Sequence, residues 1–336
     1  MNLRAFRLVP LLALAVLRAE EPAPENFVRS TETPEKLSAI QTRTVEFRPA
    51  SGAGPGILLV GAAHLGTPEY YAALQKRLDA CSVVLFEGVG LGEALKQGPG
   101  ALDRDLGIQK QLANVLGLKF QLDAIDYRRP QFINSDLAME GVKSEIHERT
   151  DKEPGAKSDD MFKTLMETLQ GTGKGAEMVK PLLALLGGSD QTRETTRLIF
   201  IEVLGRAGEF LELAKTASPE MKDLFDVILT ERNEIVLRDV RTQLARLQPG
   251  QNVAVFYGAA HLPEIAHRLA IDLHYAPAAE KWDTAFTADP AKSSIPLAQL
   301  KLMIAMVSAQ LKAGGADALK TEIPIPGLTP APKPAK

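Results

Sequence analysis

Two histidines and one glutamate close apolar runs in this chain, and together they could form a divalent-metal centre. His64 ends "ILLVGAAH", Glu87 ends "SVVLFE" and His261 ends "VAVFYGAAH", so the quartet Gly-Ala-Ala-His occurs twice. Short continuous apolar runs of this kind read as buried strands. In open α/β sheets, ligands gather at the carboxyl ends of the strands. If the three strands are parallel neighbours, His64, Glu87 and His261 converge at one edge of the sheet. Two imidazoles and a carboxylate suit a divalent cation and leave positions open for water or substrate. Such a cation generates hydroxide near neutral pH. Glu87 is then either the third ligand or the general base. A histidine after a strand commonly caps or packs, and a glutamate there commonly caps a helix or faces solvent. The repeated quartet in matching contexts is what raises the functional reading.

Other residues point at the same edge. Residues 220–247 read as one long amphipathic helix with Leu229, Val236, Val240, Leu244 and Leu247 on one stripe. Arg232 and Asn233 flank that stripe, whereas Glu231 points away. An inward arginine needs an anionic partner. Arg232 therefore makes a structural salt bridge, binds a substrate carboxylate or stabilises an oxyanion. Asn233 is carried beside it as a substrate-binding candidate. Asp136 in "INSDL" follows a strand-like run, reads first as a helix N-cap and second as a substrate-binding residue. Gly61 and Gly258 are expected to let the backbone turn tightly where the strands end.

The elements needed to position these groups alternate along the chain. "TVEFRP" reads as a first strand, and residues 68–80 and 102–117 as helices. "KFQLDAIDY" and "RPQFINSD" read as short extended runs, and "IDLHYA" as a final strand. The alternation predicts an α/β fold with a mixed, largely parallel central sheet and flanking helices. Residues 20–43 read as a polar linker, 44–290 as the α/β domain and about 137–220 as a helical insertion, either a lid or a solvated subdomain. Residues 291–315 read as a Met-rich amphipathic helix, too interrupted by Lys301 and Lys312 to span a bilayer. Residues 316–336 read as a Pro-rich disordered tail.

The N-terminus is basic, then apolar, then polar. Residues 1–19 read as a secretory signal peptide, with an uncleaved anchor as the other possibility. Export to the periplasm or outside the cell follows, with membrane contact only through that segment if it is kept. The lone Cys81 cannot form an internal disulfide and opens the apolar run "CSVVLF", so it reads as core. A net charge of −3 without a basic stripe gives no case for nucleic acid. "GTGKGAE" fails as a P-loop, and "EGVGLGEAL" fails the dinucleotide fingerprint. There is no G-x-S-x-G elbow and no H-E-x-x-H.

The order GxxH, "FEG", "ERN", GxxH resembles the TraB/PrgY/GumN family, which includes the Tiki metalloproteases and is similar in fold to erythromycin-esterase and ChaN-like proteins. The resemblance covers roughly residues 45–290. It implies that His64, Glu87, Arg232 and His261 line one site, and "INSDL" is similar to an "NADL"-like segment of relatives. It also implies a metal-dependent hydrolase of peptide or protein substrates that uses manganese or cobalt, with zinc as a further option. The pheromone-binding relatives imply the alternative, a non-catalytic protein that sequesters a peptide or haem-like ligand. Many relatives carry Ser or Thr where this chain has Ala62.

Overall fold

A computed structural model describes residues 26–88, 107–136, 188–217 and 219–314, with isolated positions between 164 and 186. The expected signal segment, most of the insertion and the Pro-rich tail lie outside the described residues. Nine strands are described: β1 (Val28–Glu32), β2 (Ser38–Pro49), β3 (Gly56–Ala62), β4 (Leu65–Gly66), β5 (Val83–Phe86), β6 (Lys119–Phe120), β7 (Phe132–Asn134), β8 (Asn252–Gly258) and β9 (Tyr275–Ala288). The helices are α1 (Pro68–Asp79), α2 (Gly107–Leu116), α3 (Gln121–Ala124), α4 (Asp190–Leu204), α5 (Ala207–Ala217), α6 (Pro219–Phe225), α7 (Arg232–Leu244), α8 (Leu262–Leu273) and α9 (Leu297–Gly314).

The fold is α/β, with a mixed, largely parallel seven-stranded sheet and flanking helices. Strands β3, β8, β5 and β7 run parallel side by side, and β2 joins β3 antiparallel. The continuous apolar runs make sense here, because helices cover both faces. On one face Val60, Val84, Phe86 and Phe256 pack with Tyr70, Leu74, Leu198, Ile201 and Leu300. On the other, Leu59, Leu85, Val253 and Val255 pack with Val236, Val240, Ile265 and Leu269. Cys81 is buried in the first cluster, and burial pushes its thiol up to about 11, as its core reading requires.

Four expectations change. "KFQLDAIDY" is extended only at Lys119–Phe120, and Gln121–Ala124 form α3. Residues 28–43, read as linker, form β1 and the first half of β2, because alternate residues such as Ile40 and Thr42 are buried against neighbouring strands. "IDLHYA" is not a strand: α8 runs to Leu273, His274 takes a left-handed turn, and β9 begins at Tyr275. The first half of β9, "APAAEK", consists of residues depleted from strands, and its pairing with β2 overrides that local preference. The described helix α4 of the insertion is neither lid nor solvated. Its Leu198 and Ile201 are fully buried in the core that α4 shares with the sheet.

The first motif glycine is needed for space, not for a turn. Gly61 does not have a positive φ. A Cβ there would stand 2.9 Å from the Arg43 carbonyl oxygen and 3.4 Å from that of Phe27. Both obstacles are backbone and cannot rotate away. Gly61→Ala is therefore expected to destabilise the fold by about 1–3 kcal/mol, the usual cost of overpacking. Urea denaturation would measure it, and an unchanged midpoint would contradict the close approach.

Candidate functional site

The strand order brings the predicted groups together. β8 is the parallel neighbour of both β3 and β5, with Ala62 level with Gly258 and Phe86 level with Phe256. All three motif-bearing runs thus end at the same edge, and β7 adds Asp136 just beyond Asn134. The two quartets are out of step by one residue, since Gly61 pairs with Tyr257 and Ala62 with Gly258. After β3 the chain continues through His64 into β4, whereas after β8 it turns at once into α8. His64 is therefore exposed, while His261 is only 4% exposed at the start of α8. Identical sequence yields two histidines at different depths.

Glu87 is the hub. Its Oε2 accepts the Gly258 N–H at 2.7 Å, and its Oε1 accepts from Arg232 Nη2 at 2.7 Å. Arg232 also makes a bidentate pair with Asp136, through Nε and Nη2 at 2.8 Å each. Asp136 in turn accepts the Gly88 N–H at 2.8 Å. Two carboxylates thus share one guanidinium. A π-helical segment, Asp226–Glu231, immediately precedes Arg232 and α7. Such wide turns leave carbonyls without their usual partner and recur at functional sites. Here Arg232 Nη1 donates to the Ile228 carbonyl at 3.2 Å.

His261 has a fixed tautomer. Asn233 Nδ2 donates to Glu264 Oε2 at 2.8 Å, and a carboxylate oxygen only accepts. The amide oxygen of Asn233 therefore faces His261 Nδ1 at 2.8 Å, and Nδ1 must carry the hydrogen. That leaves Nε2 pointing at Glu87 Oε1 across 3.6 Å. This is longer than a hydrogen bond. If Nε2 is unprotonated, two lone pairs oppose each other, and only a proton or a cation between them removes the repulsion.

The three expected ligands ring Gly258. A Cβ on Gly258 would lie 3.1 Å from Glu87 Oε2, 3.8 Å from His64 Nε2 and 4.0 Å from His261 Cδ2. Like Gly61, Gly258 does not have a positive φ; the missing side chain keeps the space between these groups open. Among the described residues, however, no three His, Cys, Asp or Glu side chains stand at spacing that holds a metal ion. His64, Glu87 and His261 are gathered but not closed into a ligand cluster.

The substrate-binding expectations for Arg232, Asn233 and Asp136 are reassigned. Four of the five Arg232 N–H groups are spent inside the protein, and the Asp136 side chain is 0% exposed. Asn233 is 1% exposed, with its side-chain oxygen on His261 and its nitrogen on Glu264. These residues hold Glu87 and His261 rather than reach toward a substrate. The pairing of Asp136 with Arg232 was not legible, because the partner 96 residues away is invisible in sequence. Glu264, three residues beyond His261, was missed, and its place in the first turn of α8 was the available signal.

Burial pushes the Glu87 carboxyl up, but His261, Arg232 and His64 more than offset this and hold it well below the usual carboxylate range. A depressed carboxyl stabilises the fold above its unfolded pKa of about 4.3, and that stabilisation is lost as pH falls through the lower folded value. Urea unfolding from pH 5 to 3 should show this acid-side loss, and Glu87→Gln should flatten it.

Comparison with family models, with curated proteins and with solved structures finds no match for this chain.

Proposed function

We propose that this chain is an exported hydrolase that uses a divalent cation, manganese or cobalt foremost, to cleave peptide bonds. The observation that carries the reading is the orientation of His261, whose Nδ1 is held by Asn233 so that Nε2 faces Glu87 Oε1 across 3.6 Å. Bonds of about 2.0–2.2 Å to nitrogen and oxygen would span that separation. The Cβ-sized space at Gly258 fits a cation as well. His261 and Glu87 would hold it, with His64 completing the set from the solvent side. The bound cation would supply a Lewis acid and lower the pKa of a water molecule.

The chain's own groups do the rest. Gly258 N–H and Arg232 fix both oxygens of Glu87, so the carboxylate keeps one orientation and stays ionised, as a ligand to a cation must. Asn233 holds the imidazole of His261 upright, as partners of metal-binding histidines do. His64 stands exposed, where a substrate arrives. The order of the GxxH, "FEG", "ERN" and GxxH motifs, with its resemblance to the Tiki-like metalloproteases, supports the substrate class. The basic-then-apolar N-terminal segment supports export.

The test is calorimetric titration of cobalt and manganese into metal-free protein, His64→Ala and His261→Gln, followed by mass-spectrometric search for cleavage of an unstructured peptide mixture. One site, abolished in His261→Gln and weakened at least about 10-fold in His64→Ala, is the expected result. Cleavage should require the added metal. No binding by wild-type protein defeats the reading. One observation favours a second reading: among the described residues, His64, Glu87 and His261 do not stand together at the spacing that holds a metal ion. A peptide- or haem-sequestering protein would bind its ligand stoichiometrically, without added metal and without product.

A further inference from the structure

We propose that Tyr70 and Tyr71 are positioning residues that hold His64 beside Gly258; the proposal rests on the reading of His64 as a metal ligand. The exposed imidazole of His64 contrasts with the backbone that carries it, which is tied down on both sides. The Tyr70 hydroxyl accepts the Ala63 N–H at 3.0 Å, and the Tyr71 hydroxyl donates to the Ala63 carbonyl at 2.8 Å. Consecutive side chains thus take both polar groups of the residue before His64. On the other side, the Gln121 N–H donates to the His64 carbonyl at 2.9 Å.

The clamp is itself anchored. Tyr70 OH lies 2.8 Å from Thr42 Oγ1 on β2, and the rings of Tyr70 and Tyr71 pack 5.0 Å apart within the core. Helix α1 is capped by Thr67, which accepts the Tyr70 N–H at 3.2 Å. Packing alone would need only the rings. The hydroxyls add fixed φ and ψ at Ala63, and those angles set the direction in which His64 leaves the backbone. His261 needs no such device, because Asn233 and the first turn of α8 hold it directly.

Tyr70→Phe, Tyr71→Phe and the double variant remove hydroxyls and keep the rings. Tyr275→Phe is the control: it removes a comparable hydroxyl-to-carbonyl bond, to Pro55 at 2.9 Å, at the strand start away from the site. The first measurement is side-chain averaging of His64 by NMR couplings in metal-free protein. Greater averaging in the double variant, and none in Tyr275→Phe, is expected; unchanged averaging overturns the clamp. The second is cobalt affinity, expected to fall about 10-fold in the double variant and to stay at wild-type level in Tyr275→Phe. Wild-type affinity in the double variant, with affinity lost in His64→Ala, overturns the positioning role and leaves the metal reading standing. No cobalt binding by wild-type protein sinks the metal reading instead, and the NMR result alone then decides whether the clamp exists.

Discussion

Arg232→Ala should destabilise the protein by about 3–5 kcal/mol, the cost of leaving buried charges without their partner. The side chain of Arg232 is 7% exposed and is shared between Asp136 at 0% and Glu87 at 16%. Removing it leaves two carboxylates facing each other in a poorly hydrated site. Arg232→Lys should recover only part of the loss, because an ammonium cannot reproduce the planar fork that bridges Asp136 and Glu87. The combination Arg232→Met, Glu87→Gln and Asp136→Asn should be less damaging than Arg232→Ala alone, since it removes the charges together. Chemical denaturation of the series checks this. An Arg232→Ala midpoint within error of wild type would mean that the ion-pair cluster is not formed in solution.

Cobalt affinity should fall about 10- to 100-fold in Asn233→Ala, the usual effect of removing the group that orients a ligating histidine. Without the amide oxygen, the hydrogen of His261 can sit on either ring nitrogen. A hydrogen on Nε2 would occupy the lone pair aimed at Glu87. The fold should tolerate the change better than the loss of Arg232, because Asn233 is neutral and Glu264 is only half-buried. Calorimetry of Asn233→Ala beside His261→Gln separates the two roles. Weakened binding in the first and none in the second fits an orienting amide. Equal, wild-type affinity in both would remove His261 from the ligand set.

These two outcomes differ in what they probe. The Arg232 series concerns stability and requires no assumption about a cation, since the ion pairs stand in the protein by itself. The Asn233 series concerns function and depends on a cation binding between His261 and Glu87. A stable Asn233→Ala protein with weakened affinity would tie the tautomer argument to activity, while the Arg232 result would stand either way.

What the sequence determined by itself follows from short-range physics. Apolar runs long enough for one buried strand and ended by Gly, such as "ILLVG" and "VAVFYG", specify strands covered on both faces, as in parallel sheets. The α/β class was therefore legible, as was the inward face carrying Arg232 and Asn233, whereas the convergence of His64, Glu87 and His261 was conditional until the sheet order made β3, β8 and β5 neighbours. The strands β1 and β9 were not, because their residues take on strand form only through pairing along β2. Nor was the role of the motif glycines, which depends on what lies opposite them: backbone carbonyls at Gly61, and Glu87 at Gly258. Tertiary structure alone decided that the two identical quartets differ, because a one-residue offset between β3 and β8 leaves His64 in solvent and buries His261. It alone joined Asp136 to Arg232 and Asn233 to His261, since side chains far apart in the chain recognise each other only once the sheet has brought their strand ends together.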